Sequence, residues 1–284
     1  MSPKDCLASI IYRIYRIGLL PCNIHVLSIE DTVNQLIDSE DSIVRFGDGE
    51  FKLISGKGIP NQDASDELGR RLMEILDSKT NGLHVALPDI FDGVEQFVPQ
   101  SRRFWKEHLL FHRKEYMKYC KDGIYANSFI SRPYIMYDNK EKQAKTFPEI
   151  SKLWKDKEIV FIEGEVSHNA VDNDLFSDAK SIGRIICPSE NAFEKYDIIL
   201  NECLKLPKST LVLVTLGAAG KALTYDLWKN GYRVLDIGSL DMEYGWYMEG
   251  ATQKCRVPKH EIRTYEENVT AGYTEYLKQI ITQI

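Results

Sequence analysis

Four short apolar runs in the second half of this chain constrain its fold more than any other feature. Ile159 to Ile162, Arg184 to Cys187, Leu211 to Leu216 and Val234 to Ile237 each have strand character. Each is followed by small or polar residues: Glu163, Gly164 and Glu165; Pro188, Ser189 and Glu190; Gly217; Gly238 and Ser239. Helical patterns lie between them, notably Ala192 to Leu204 and Ala219 to Asn230, the latter closed by Gly231. Strands that alternate with helices indicate parallel βαβ units, and the unbroken run LVLVTL suits a strand covered on both faces. The expected fold is α/β and Rossmann-like, a mostly parallel sheet with helices on both faces.

In the first half, the stretch SIVRFGDGEF, Ser42 to Phe51, is a short apolar run that ends in a glycine-flanked pair of carboxylates. Ile43, Val44 and Phe46 predict a strand, and Gly47 and Gly49 predict a turn that carries Asp48 and Glu50 on the loop past its end. Carboxylates two residues apart on such a turn can converge on one hard cation, Mg²⁺ or Mn²⁺; the alternative is a solvated polar turn. A helix is expected over Ser28 to Ser39, a second around Leu68, Leu72, Ile75 and Leu76, and a strand over Leu83 to Leu87. Residues 94–120 predict two helices whose internal faces include Phe97, Phe104, Trp105, Leu109, Leu110 and Tyr116, read as core because aromatic stripes at helical spacing pack. In the aromatic segment 123–137, Arg132 precedes Pro133, which favours an extended backbone. Its guanidinium suits either a phosphate or sugar hydroxyl, or a structural salt bridge.

With 284 residues, 43% hydrophobic and 27% charged, the chain can bury a substantial core in one large domain or one domain with a subdomain. We divide it into an N-terminal arm, 1–27, and a main domain, 28–284. The formal net charge of −6 provides no basic surface for a nucleic-acid backbone, so nucleic acid is not an expected partner. Six scattered cysteines without metal-finger spacing read as free thiols in a reducing cytoplasm. No apolar stretch is long enough to span a bilayer. Ile10 to Leu20, apolar and aromatic with Arg13 and Arg16 interleaved, suits either peripheral contact with anionic lipid on the inner membrane face or a docking or homo-oligomer helix. Docking is preferred, since two arginines attract a membrane only weakly.

Ligands of open parallel sheets bind outside the carboxyl ends of the strands. The informative polar residues all follow predicted strands: Asp48 and Glu50, Glu163 and Glu165, Ser189, Gly217 to Lys221, and Ser239 to Glu243. LGAAGK, Leu216 to Lys221, joins a buried strand to a helix through small residues, so its amides can face a phosphate, although it matches neither the dinucleotide fingerprint nor the Walker loop. Asp241 and Glu243 repeat the two-apart acid spacing, so one pair is expected to hold metal while the other binds sugar hydroxyls or removes the acceptor's proton. His168 has no His or Cys partner at ligand spacing and reads as structural.

RFGDGEF at 45–51, SRPYI at 131–135, EGEVSHNAVDNDLF at 163–176 with IICPSENAF at 186–193, and LGAAGKALTYDLWKNGYRVLDIGSLDMEYGWY at 216–247 resemble the bacterial GT-D glycosyltransferases. The resemblance covers about residues 28–270 and keeps the motifs in order. That family includes transferases that build glycans on serine-rich adhesins. The resemblance implies a nucleotide-diphosphate sugar donor, UDP-linked, and Mn²⁺ or Mg²⁺ held by a DxE motif, here Asp48 and Glu50. Donor contacts are then expected from Arg45, Gly47, Arg132, Glu163, Ser189, Gly217, Ala218, Lys221 and Ser239, and catalytic carboxylates from Asp48, Glu50, Asp241 and Glu243. Val166, His168 and Ser239 depart from the family pattern. The expected activity is transfer of a hexose, glucose or galactose, to a glycan or glycoprotein acceptor. The rivals are a metal-dependent phosphohydrolase and an inactive nucleotide-sugar-binding subunit.

Overall fold

A computed structural model describes residues 3–16, 23–78, 80–260 and 271–284. Among them, nine strands form one sheet in which every hydrogen-bonded neighbour is parallel. The strands are β1 (Ile24–Val26), β2 (Ser42–Arg45), β3 (Leu83–Leu87), β4 (Gly123–Asn127), β5 (Glu158–Gly164), β6 (Ser181–Cys187), β7 (Leu211–Thr215), β8 (Arg233–Asp236) and β9 (Ile280–Gln283). Their order across the sheet is β1-β4-β3-β2-β8-β7-β5-β6-β9. Strands from the first half therefore lie to one side of β2 and strands from the second half to the other side of β8. The seam between β2 and β8 is the point of topological reversal where α/β sheets open a crevice.

The helices are α1 (Pro3–Arg16), α2 (Ile29–Ser39), α3 (Asp48–Ile54), α4 (Asp66–Asp77), α5 (Pro99–Tyr119), α6 (Lys140–Ala144), α7 (Thr146–Ser151), α8 (Tyr196–Cys203), α9 (Ala219–Lys229), α10 (Leu240–Met248) and α11 (Ala271–Lys278). Serine side chains cap two of them: Ser28 Oγ accepts the Asp31 amide at 3.0 Å and Ser65 Oγ the Leu68 amide at 3.2 Å. The central strands are apolar on both faces because helices cover both, and Leu211 to Val214, Val234 and Leu235 are all buried. Each such side chain contributes about 1.5–3 kcal/mol through removal from water.

Three expectations change. Residues 99–119 form one helix, not two, because nothing after Pro99 interrupts them with glycine or proline. The strands β1, β4 and β9 were not foreseen; β1 and β9 are short edge strands, and β4 presents only Tyr125, Ala126 and Asn127 to the interior. Both acid pairs lie in the first turns of helices, α3 and α10, where loops were expected.

The stretch read as an amphipathic N-terminal helix is described only as far as Arg16, and residues 17–20 lie outside the described residues. α1 packs on α5: Ala8 and Tyr12 are buried, the Asp5 carboxylate pairs with Arg103 at 2.7 Å, and Lys106 sits over the Tyr12 ring. No described helix is long and apolar enough to cross a membrane. Five cysteines are free among the described residues, and Cys22 lies outside them.

Candidate active site

A cleft of about 840 Å³ opens over the β2–β8 seam. Residues that follow β2, β4, β5, β7 and β8 line it, so chain segments far apart in sequence share one wall. Its floor is a buried charge network. The Asp236 carboxylate, at the end of β8, accepts from Arg45 Nη2 at 2.7 Å, from the Arg45 amide at 3.1 Å and from Lys221 Nζ at 2.9 Å. Arg45 Nε also donates to the Asp236 carbonyl at 2.6 Å, and its Nη1 to Ser131 Oγ. Burial favours the neutral acid, but Arg45 and Lys221 outweigh it and hold the Asp236 pKa below the usual carboxylate range. Lys221 Nζ in turn lies 3.7 Å from Glu50 Oε1. Gly238, at φ +44°, lets the chain pass this network, because a Cβ there would collide with the Arg45 guanidinium.

Helical geometry separates the members of each acid pair. Residues two apart on an α-helix project about 200° from each other, so their side chains leave on nearly opposite sides. Asp48 turns to Lys52, 3.2 Å away, and keeps its side chain 40% exposed. Glu50 folds back so that Oε2 accepts the Gly47 amide at 2.7 Å, while Oε1 faces Lys221. The second pair diverges more completely. Asp241 is fully buried and accepts from Lys259, His260 Nε2, the Ala170 amide and Asn173 Nδ2. Burial would raise its pKa, yet Lys259 and His260 hold it far below the usual carboxylate range. Glu243 points the other way into the cleft wall: Oε2 accepts the Tyr134 and Ile135 amides at 3.0 and 2.8 Å, and Oε1 is buried with no hydrogen-bond partner. Burial raises the Glu243 pKa, against the opposing pull of those two amides and of Arg132.

A model of the glycosyltransferase GT-D fold family matches residues 43–265, most of the chain. This protein belongs to the GT-D glycosyltransferase family. It is 40% identical over 259 residues to "Probable glycosyl transferase Gly" of Streptococcus gordonii and 37% identical over 234 residues to "Glycosyltransferase GlyD" of Streptococcus pneumoniae. The alignments take in 90% and 82% of this chain but only 38% and 29% of those relatives, so it spans well under half their length. Among solved structures, one described as domain of unknown function 1792 with a distinct glycosyltransferase fold superposes with a TM-score of 0.85 at 38% identity, covering 92% of this chain and 96% of that one. Another, a new glycosyltransferase from Streptococcus sanguinis, does so with the same score at 37% identity, covering 92% and 99%.

Within this GT-D fold the candidate donor residues divide into two groups. Arg45, Gly47, Arg132, Gly217, Ala218, Lys221 and Ser239 line the cleft together with Asp48, Glu50 and Glu243. Arg132 leaves its loop exposed, and its guanidinium has no ion-pair or hydrogen-bond partner among the described residues. Gly217 has φ +52°, and a Cβ there would press on Asn61. Glu163, Ser189 and Asp241 do not line the cleft. Glu163 belongs to β5, where its carboxylate pairs with the fully buried Arg184 and accepts from Asn169, so it serves the interior. Ser189 Oγ accepts the Val166 amide at 3.2 Å and packs against Gly164. His168 is buried against Tyr273 and Tyr276, with its Nδ1 2.7 Å from the Lys259 carbonyl.

Sequence reasoning missed Asp236 and His260. An acid that ends the buried run RVLD was the available signal for Asp236. His260 lines the cleft with Nε2 on Asp241, 19 residues away, and no local pattern announces that contact.

Among the described residues no group of three or more His, Cys, Asp or Glu side chains gathers to hold a metal ion. Asp48 is tied only by a partly exposed ion pair of small worth, and Glu50 commits one oxygen to Gly47 while the other stays at the cleft. The two carboxylates therefore do not converge on one point as the sequence led us to expect, and an ion held there would draw most of its ligands from water and substrate phosphates.

Proposed function

We propose that this chain transfers a hexose, glucose or galactose, from a UDP-sugar to a hydroxyl of a glycan or glycoprotein acceptor. What carries the reading is Glu243: a buried carboxylate oxygen without a partner, in a cleft that also presents Lys221, Arg132 and the amide-rich start of α9. The diphosphate belongs at the start of α9, where helix N-terminal amides and the two cations favour negative charge. Asp48 and Glu50 would hold Mn²⁺ or Mg²⁺, which supplies Lewis-acid neutralisation of charge on the departing diphosphate. The Tyr134 and Ile135 amides fix one Glu243 oxygen and leave the other without a partner just inside the cleft wall, where an acceptor hydroxyl would have to reach it. That oxygen takes the acceptor proton as the acceptor oxygen bonds to the anomeric carbon. The bond from that carbon to the phosphate oxygen breaks, and its electron pair leaves with UDP. Carboxyl bases positioned in this way contribute about 10²–10⁴-fold to rate.

The test is incubation with UDP-glucose or UDP-galactose and Mn²⁺, with and without glycan acceptors, following UDP. Acceptor-dependent UDP release supports transfer. Inorganic phosphate release from simple phosphate esters would favour the phosphohydrolase reading, and UDP binding without turnover on any acceptor the inactive subunit.

A further inference from the structure

Phe104 is the residue whose expected and observed places differ most. Its position in an aromatic stripe of α5 predicts core, yet it is 46% exposed and lines the cleft. Gln100, Ser101, Phe104 and Trp105 recur at helical spacing and form one wall. The ring is held from beneath. Trp105 meets it edge-on with centroids 4.9 Å apart, and His108, one turn on, stacks behind it at 6.2 Å and 15°. His108 is itself fixed by a 3.0 Å hydrogen bond to Tyr116. Asp48, the first acid of the DxE pair, lines the same cleft.

The four side chains that α5 turns to the cleft carry no charge. Arg102 and Arg103, between them on α5, do not line the cleft and are turned to Asp138 and Asp5. Gln100 and Ser101 present an amide and a hydroxyl to the cleft, and neither has a side-chain hydrogen-bond partner among the described residues. These four side chains offer a diphosphate no cation, whereas an uncharged sugar finds a flat aromatic face with polar groups one turn away. Aromatic faces carry negative charge density that attracts polarised C–H groups, and pyranose rings present such groups on one face.

We propose that Phe104, with Gln100 and Ser101, forms the acceptor subsite and stacks on the C–H face of the pyranose that receives the transferred hexose. The inference rests on the transferase reading above and adds which wall holds the acceptor and what it recognises: a sugar ring rather than a bare peptide. Phe104→Ala removes the stacking face, and Phe104→Tyr retains it. An exposed ring contributes little to folding, so both variants should fold.

The test is saturation-transfer NMR with methyl β-glucoside and methyl β-galactoside in the presence of UDP, alongside acceptor kinetics and UDP calorimetry. The expected result is strong transfer to the protons of one sugar face in the wild type and in Phe104→Tyr, lost in Phe104→Ala. Acceptor KM should rise about tenfold in Phe104→Ala, with UDP affinity retained. Unchanged KM and saturation transfer in Phe104→Ala would overturn the subsite. So would loss of UDP affinity in that variant, or a serine-rich peptide that saturates at this wall while the sugars do not. Failure of the wild type to bind UDP or turn over any donor instead strikes the transferase reading, whatever the sugars show.

Discussion

Arg45 and Asp236 lie 191 residues apart in the chain, and their side chains meet at 2.7 Å beneath the cleft. Strands β2 and β8 share only the register pair Ile43 and Leu235, so this buried pair and its main-chain bonds tie the sheet's two halves at the point where the cleft opens. Lys221 completes the network from α9.

Asp236→Asn should therefore be among the most destabilising conservative changes in the protein. It leaves Arg45 buried without its counter-charge and Lys221 with only Glu50, 3.7 Å away, and breaking such a pair costs about 3–5 kcal/mol. Urea unfolding should show a lower midpoint with the slope unchanged. A midpoint equal to wild type would show that solvent compensates the two cations.

The two acids of the DxE pair should separate in their effect on stability. Asp48→Ala removes a partly exposed ion pair and should shift stability by no more than about 0.5 kcal/mol. Glu50→Ala removes a carboxylate that caps α3 at the Gly47 amide and should cost about 1 kcal/mol. Both should abolish the Mn²⁺-dependent part of UDP release. Full activity in either variant would remove that residue from the proposed metal site.

Glu243→Gln should lower kcat by about 10²–10⁴-fold with UDP affinity retained. A base works deprotonated, and burial raises the Glu243 pKa above that of an ordinary glutamate. Wild-type kcat should accordingly fall on acidification through that raised pKa, and the limb should vanish in the glutamine variant. Survival of the limb would assign it to another group.

His108 should leave its mark on acid stability. Burial, helped by His112, pushes its pKa down to about 3 from an ordinary value of 6.5. The unfolded chain takes up this proton first, so the contribution to stability is complete above pH 6.5 and is lost progressively as pH falls toward 3. In His108→Gln, which can still reach Tyr116, Tm should depend less on pH across that window. An unaltered slope would mean that other groups carry it.

The second half of the fold was legible because its strands are buried on both faces. An unbroken apolar run such as Leu211 to Val214, bounded on both sides by turn residues, suits a strand covered on both faces. The edge strands β1 and β9 escaped notice because short segments with alternating exposure carry little periodic signal. DGEF and LDMEY read as loops because glycine or a polar residue follows each strand directly, yet each begins a helix at once.

Spacing in the chain determined which loops reach the rim of the sheet, since residues after parallel strands must emerge on one side of it. It did not determine where their side chains turn. Asp241 and Glu243, two residues apart, differ completely in surroundings: one is saturated by Lys259, His260 and Asn173 in the interior, while the other is buried in the cleft wall with one oxygen left without a partner. Only the packing of remote elements around α10 makes that division. The direction of a helical side chain follows from the backbone, but its partners come from distant parts of the chain.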